Sequence, residues 1–452
     1  MTVRFGTDGV RGLANRDITP EVALAIGRAA VRVFRTPWVV IGRDTRRSGT
    51  LLESAFAAGV CAEGADAVLA GVVPTPAVAF AAERDRVVGA VISASHNAFG
   101  DNGLKLFAPG GTKLTDAEQA AVEEAIADAL ALDGPANGAD AVAAPVGADV
   151  GTVVADAQLA EDYAGSIEGV TEGRRLDGLK VVLDCANGAV SMIAPEVLVD
   201  LGAEVVVMAA EPDGTNINEA CGSTWPQALQ SAVVEEGAAL GLAFDGDADR
   251  LVAVDEQGRL VDGDQILALC ATDLRDRGRL HDDTVVVTVM SNLGFRQAMD
   301  REGIAVIETP VGDRHVLQAM SDGGYTLGGE QSGHLVFGHL GTTGDGLLSG
   351  VVLADLVVRE GAALGDLVDA SMTKLPQVLR NVTVDTPVPD VAERLADEIA
   401  AVSTELGDRG RVLLRPSGTE PVVRVMAEAP TEAEAAAAVE RLTGAVERLA
   451  RS

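Results

Sequence analysis

The segment Asp245-Gly246-Asp247-Ala248-Asp249-Arg250 places three carboxylates at alternate positions, directly after the apolar run Leu240–Phe244. Three unpaired anions so close would repel one another. A divalent cation removes that cost, and hard Mg2+ takes oxygen ligands of this kind. On that reading, deleting one carboxylate should stabilise the metal-free protein. The segment is not an EF-hand, because Arg250 stands at the sixth position, where that loop needs glycine. A solvated acidic turn is the plainer alternative for the segment taken alone. A second apolar run, 87–92, leads into Ser93-Ala94-Ser95-His96-Asn97. A serine just past a strand's carboxyl end stands where α/β sheets hold their ligand loops, so the Ser95 hydroxyl could act as a nucleophile. Alone it is weak evidence, since Ser, His and Asn are ordinary loop residues. Gly-x-Ser-x-Gly is absent around it, so no hydrolase elbow is indicated.

Four further segments carry polar groups at close spacing. Gly328-Gly329-Glu330-Gln331-Ser332-Gly333-His334 combines glycines, which let a backbone approach a ligand, with groups that hydrogen-bond sugar hydroxyls. Arg415-Pro416-Ser417-Gly418-Thr419-Glu420-Pro421 joins a guanidinium to hydroxyls and backbone amides, a set suited to phosphate. Each could equally be a polar turn. Gly6-Thr7-Asp8-Gly9-Val10-Arg11-Gly12 reads as a glycine-rich loop, and Asp101-Asn102-Gly103-Leu104-Lys105 brings a lysine soon after Ser95. The chain has only four lysines, Lys105, Lys113, Lys180 and Lys374, so one at such a place stands out. His315 and His339 have no evident partners in the sequence.

These segments need a scaffold that ends strands in loops, and the apolar pattern supplies one. Runs at 37–42, 67–69 and 87–92 read as strands, with a helix over 51–64. After a Gly/Ala/Pro/Asp-rich boundary at 133–151 the pattern restarts: strands at Lys180–Asp184, 205–208 and Leu240–Phe244, with a helix over 190–201. It restarts again with strands at 284–290 and 305–308 and a helix over 294–302. Such alternation predicts mostly parallel sheets with covering helices, and three similar units suggest an internal repeat. From about Lys374 the pattern becomes α+β: strands at 382–384, 412–414 and 422–427, a helix over 391–406, and a long Ala/Glu helix to the end.

Composition narrows the functional classes. The 452 residues carry 68 Asp+Glu against 35 Lys+Arg, a formal net charge of −33. That argues against nucleic acid and against an anionic membrane surface as partners. A small anionic substrate remains compatible, since local charges outweigh a distant screened field. The four cysteines form no C-x-x-C pair, which speaks against a zinc site or redox dithiol and fits a reducing compartment. No apolar run approaches the roughly 18 residues of a membrane span. The amino-terminal residues lack the apolar core of a signal peptide. The expected location is therefore cytoplasmic.

In this order, FGTDGVRG, SASHN with DNGLK, DGDADR, GEQSGH and RPSGTEP resemble the motifs of the α-D-phosphohexomutase superfamily, and the resemblance covers essentially the whole chain. It implies α/β architecture: three similar α/β domains with mixed sheets and a C-terminal α+β domain around a central cleft. The expected limits are 1–152 for a phosphoserine domain, 153–254 for metal binding, 255–370 for sugar binding and 371–452 for phosphate binding. The resemblance makes Ser95 the phosphoserine and a metal ligand, with Asp245, Asp247 and Asp249 holding Mg2+. Lys105, His96 and Arg11 become catalytic. Glu330, Gln331 and Ser332 would bind the sugar, and Arg415, Ser417, Gly418 and Thr419 its phosphate. Gln331, the segment Val311-Gly312-Asp313-Arg314 and Gly344-Asp345-Gly346 resemble the branch acting on glucosamine phosphates. The phosphomannomutase/phosphoglucomutase branch is the alternative, and a non-catalytic phosphosugar-binding protein a more distant one. The implied activity is an isomerase reaction exchanging 6- and 1-phosphates of a hexosamine, with glucosamine or glucose 1,6-bisphosphate as activator. A small phosphorylated hexosamine is the expected partner, and a homodimer is left open. Ala98 departs from the branch's usual proline, and His315 from its frequent tyrosine.

Overall fold

The computed structural model describes residues 9–131, 144–384, 388–416 and 421–450. They form two compact units. One holds the residues up to Val289 together with Ile304–Val368, and the other holds Met290–Gly303 and the residues from Asp369 onward.

The first unit contains three sheets. The first uses β1 (Val10–Leu13), β2 (Trp38–Arg43), β3 (Asp66–Val72), β4 (Val88–Ile92), β5 (Asp101–Phe107) and β6 (Val153–Ala155), in the order β1-β5-β4-β2-β3-β6. The second uses β7 (Lys180–Asp184), β8 (Glu204–Met208), β9 (Leu240–Phe244), β10 (Leu251–Asp255) and β11 (Leu260–Val261), in the order β11-β10-β9-β7-β8. The third is β13-β12-β14-β15, from β12 (Thr284–Thr288), β13 (Ala305–Thr309), β14 (Leu327–Gly329) and β15 (Leu335–Phe337). Each has a parallel core in which one parallel strand is followed directly by an antiparallel neighbour: β4 by β5, β9 by β10, β14 by β15. The order β5-β4-β2-β3 recurs as β10-β9-β7-β8 and as β15-β14-β12-β13. The repeat suggested by the sequence is therefore a repeat of topology.

Continuous apolar runs become strands buried on both faces. All five residues of β4 and of β9 are buried. Around β4, Ile26, Ile41, Leu52, Phe56, Ile92 and Leu104 form one core with the helices Pro20–Phe34 and Gly49–Ala62. Full burial of each such side chain stabilises the fold by about 1.5–3 kcal/mol. The second and third sheets have smaller cores of their own around Val182, Leu229 and Val233, and around Val286, Val316 and Met320.

The second unit is α+β. Strands β16 (Gln377–Thr383), β17 (Arg411–Pro416) and β18 (Val422–Glu428) make an antiparallel sheet in the order β16-β18-β17, packed on the helix Glu432–Ala450. Two local expectations change. The helix expected over 391–406 is two helices, Val391–Arg394 and Ala396–Leu406. Leu395 between them has φ −108° and ψ 21° and is buried in the core. The described end of the glycine-rich segment, Val10–Leu13, is not loop but an edge strand antiparallel to β5. Gly9, at φ 82°, begins that pairing where a Cβ would lie 2.1 Å from the Leu104 carbonyl oxygen. Only glycine allows so close an approach. Among the described residues no helix is long and apolar enough to cross a membrane.

Candidate active site

The three chemical segments of the first unit occupy one topological position. Ser95 follows β4, Asp245 follows β9 and Glu330 follows β14, each in the turn between a parallel strand and its antiparallel partner. The carboxyl ends of parallel strands are where open α/β sheets bind ligands.

Ser95 is 1% exposed and has φ 53°, a left-handed conformation unusual for a residue with a Cβ. Its Oγ donates to Asp245 Oδ2 at 2.5 Å and lies 3.4 Å from His96 Nδ1. Burial, followed by Asp249 and Asp247, pushes the Asp245 carboxyl well above the usual range. Burial, with Arg250 and Arg11 nearby, lowers His96 to about 4, so it is neutral near pH 7.

Asp245, Asp247 and Asp249 are buried, and one oxygen of each lies within 4.8 Å of the others. The Oδ1 atoms of Asp247 and Asp249 are buried without a hydrogen-bond partner. Oxygen-only donors with orphaned lone pairs fit a hard divalent cation. The triad is not, however, three unpaired anions. Lys105 Nζ donates to Asp247 Oδ2 at 2.8 Å and to Asp249 Oδ2 at 3.2 Å. Thr75 Oγ1 donates to Asp247 Oδ2 at 2.6 Å, and the Thr75 amide to the Asp247 carbonyl at 2.9 Å. Burial pushes the Asp249 carboxyl up, but Lys105, His334, Arg250 and Lys113 together outweigh it and hold it far below its ordinary value.

These contacts reverse the expectation that deleting a carboxylate relieves strain. Asp247→Ala leaves the buried Lys105 ammonium with one partner fewer and the Thr75 hydroxyl with none shown. The variant should be less stable than wild type in chelator, by about 1–3 kcal/mol. Thermal melting of both proteins in EDTA measures this. An equal or higher midpoint for Asp247→Ala would mean that anion repulsion dominates.

The third loop has Glu330 and Gln331 half-buried and Ser332 exposed. Glu330 Oε1 accepts the Gly312 amide at 3.1 Å, and Ser332 Oγ donates to Glu330 Oε2 at 3.4 Å. The loop is tied to the strand leaving the acidic loop, because the Leu251 amide donates to the Gly333 carbonyl at 3.0 Å. In the second unit, Arg415 is half-buried on β17, in register with Arg424 of β18. Burial and that second guanidinium lower its pKa. Ser417, Gly418 and Thr419 lie outside the described residues, as does the start of the segment preceding Arg11.

Four successive descriptions of one family match this chain. They are phosphoglucomutase/phosphomannomutase, alpha/beta/alpha domain I at residues 2–132, domain II at 161–258, domain III at 262–375 and the C-terminal domain at 379–445. The chain belongs to the phosphoglucomutase/phosphomannomutase family. It is thus related to isomerases that move phosphate on hexoses. A curated relative from Frankia alni, named phosphoglucosamine mutase, is 51% identical over 99% of this chain and 98% of its own. A phosphoglucomutase/phosphomannomutase family protein from Burkholderia thailandensis has a solved structure with a TM-score of 0.81, 26% identity and coverage of 99% and 98%. N-acetylphosphoglucosamine mutase from Aspergillus fumigatus, solved with GlcNAc-6P and magnesium, shares the fold at a TM-score of 0.71 and 19% identity, over 100% of this chain and 96% of that one.

In this phosphoglucomutase/phosphomannomutase chain, structure adds residues that sequence reading left without a role. His334 is buried, with Nδ1 3.9 Å from Asp249 Oδ1 and Nε2 3.4 Å from Asp313 Oδ2. Lys113 pairs with Asp313 in turn. A line of polar contacts thus runs from Asp247 through Lys105, Asp249, His334 and Asp313 to Lys113, and the Gly344 amide donates to His334 Nε2 at 3.2 Å. His334 stood in a motif already singled out, and Lys113 was one of four lysines. Those were the only signals available, and neither indicated the partner.

Proposed function

We propose that this chain interconverts glucosamine 6-phosphate and glucosamine 1-phosphate, carrying the phosphoryl group on Ser95 and passing through the 1,6-bisphosphate. The observation that carries the reading is the buried Ser95 hydroxyl held on Asp245 within an acidic triad. The likeness to the Frankia alni phosphoglucosamine mutase over nearly the full chain supports the choice of sugar.

In the forward step the bond between phosphorus and Ser95 Oγ breaks, and one forms to the sugar 1-hydroxyl oxygen. The Lys105 ammonium gives Ser95 Oγ its proton, and the amine so formed takes up the proton that the sugar hydroxyl loses, directly or through a neighbouring group. Mg2+ held by Asp245, Asp247, Asp249 and Ser95 would draw negative charge from the transferring group and the serine oxygen. We assign the other, non-reacting phosphate to Arg415, Ser417, Gly418 and Thr419, and the ring hydroxyls to Glu330, Gln331 and Ser332. Arg11 and His96 complete the surroundings of Ser95. Turning the bisphosphate end over end then returns the other phosphate to Ser95, which is why a 1,6-bisphosphate serves as activator. The division at 1–152, 153–254, 255–370 and 371–452 belongs to this proposal, as does a cytoplasmic location.

The sugar preference has a chemical basis. A 2-ammonium group gains from nearby carboxylates, Glu330 foremost. A 2-hydroxyl can reuse the same hydrogen bonds, so discrimination against glucose phosphate should be modest. The test is kcat/KM for glucosamine 6-phosphate against mannose 6-phosphate, in a coupled assay with Mg2+ and a trace of bisphosphate. A ratio well above one is expected. A ratio at or below one would assign the chain to phosphomannose chemistry and leave the Ser95 mechanism in place.

A further inference from the structure

The left-handed backbone of Ser95 is held from both ends. Its amide donates to Ser93 Oγ at 2.9 Å, and Ser93 Oγ donates to Asp44 Oδ2 at 2.6 Å. Its carbonyl accepts from two side chains on different segments: Arg46 Nη2 at 3.0 Å and Asn218 Nδ2 at 2.9 Å. The same two nitrogens also reach the next carbonyl but one, that of Asn97, at 2.8 and 3.1 Å.

Arg46 is 1% exposed, and its whole donor set is used. Nε donates to Asp44 Oδ2 at 2.8 Å, Nη1 to the carbonyls of Ala98 and Asp101, and Nη2 to those of Ser95 and Asn97. That accounts for the five N–H donors of a guanidinium, which lie in a rigid plane. Four of the five fall on backbone carbonyls of the serine loop. Asn218 comes from beyond the second sheet's β8, so the clamp spans two sheets. The acidic loop seals it. A Cβ at Gly246 would lie 2.6 Å from the Ser95 carbonyl oxygen and 3.0 Å from Asn218 Nδ2, so the glycine lets both approach.

We propose that Arg46 and Asn218 are positioning residues that fix the Ser95 peptide in its left-handed form, and so aim Oγ at Asp245 and at the transferring phosphoryl group. The proposal rests on the reading of Ser95 as the phosphoryl carrier. A backbone in a sparsely populated region persists only where its surroundings hold it. Without the two donors, Ser95 relaxes toward ordinary φ, and Oγ leaves the line of transfer. Neither residue is assigned to the sugar or to the metal carboxylates, so substrate and metal affinity should be spared.

Asn218→Gly tests this directly. Asn218 itself has φ 58°, which glycine tolerates, so the variant removes the amide without straining the local chain. Turnover is measured per phosphorylated molecule, with Ser95 phosphate counted by intact mass. The expected result is a kcat about 10- to 100-fold below wild type, with KM and the Mg2+ half-saturation concentration within about twofold. A role in stability alone would lower the melting temperature and the folded fraction but leave kcat per phosphorylated molecule near that of wild type, and that result overturns the proposal. Should Asn218→Gly fail to fold, Asn218→Asp keeps the shape and left-handed tolerance while replacing the donor by an acceptor, and the same kcat criterion applies. Wild type is run alongside. If it carries no phosphate and shows no mutase activity, the Ser95 reading falls and the clamp with it. If it shows both while the variant matches it, only the clamp falls.

Discussion

Ser95→Ala should lose mutase turnover by about 10⁴-fold or more while remaining folded. Among the described residues Ser95 Oγ is the hydroxyl that donates to Asp245, while Thr75 Oγ1 donates to Asp247, and burial pushes the thiols of Cys61, Cys185, Cys221 and Cys270 up, away from the thiolate form. Alanine keeps the Cβ, so the cost of the left-handed backbone is the same in both proteins; Asp245 Oδ2 loses the donor it has in Ser95, which should lower the melting temperature without unfolding the protein. Intact-mass measurement of wild type before and after substrate should show phosphate on the protein, and the variant should show none. Full activity in Ser95→Ala would remove Ser95 from the mechanism altogether.

Lys105→Met should lower kcat by roughly 10²–10⁴-fold, the range of a general acid–base group. The geometry sharpens this expectation. Lys105 is 6% exposed and sits between Asp247 and Asp249, so its ammonium has protons to give at the acidic loop. The same ammonium neutralises charge that a metal ion would otherwise meet. Methionine keeps the apolar stem and removes the cation. The Mg2+ concentration for half-maximal activity should therefore stay level or fall, even as turnover collapses. Steady-state kinetics across Mg2+ and substrate separate these quantities. Unchanged kcat with only a raised KM would make Lys105 a ground-state binding residue.

Much of this architecture was legible before any coordinates. Strands such as β4 and β9 are short runs of Val, Ile, Leu, Phe, Ala and Gly that end in polar loops, and burial on both faces requires that pattern. The grouping of the acidic loop was legible too, since the three aspartates that alternate in the sequence bring one oxygen each within 4.8 Å of the others. The helix expected over 391–406 failed only locally, where burying Leu395 in the core accompanies a departure from helical geometry.

The amino-acid sequence by itself determined the strands, their order, and which polar segments sit at the strand ends. Periodicity and residue type act over a few neighbours and can be read there. Tertiary structure alone decided which groups meet. Ser95 and Asp245 are separated by 150 positions yet share a hydrogen bond, and nothing local to either announces the other. The same holds for Lys105, whose place between Asp247 and Asp249 turns a set of repelling anions into a paired cluster. It holds as well for His334 beside Asp249, and for Arg46 and Asn218 on the Ser95 carbonyl. A charge or a donor acts over ångströms in space, and in a buried site its effect is set by what folding brings within that reach.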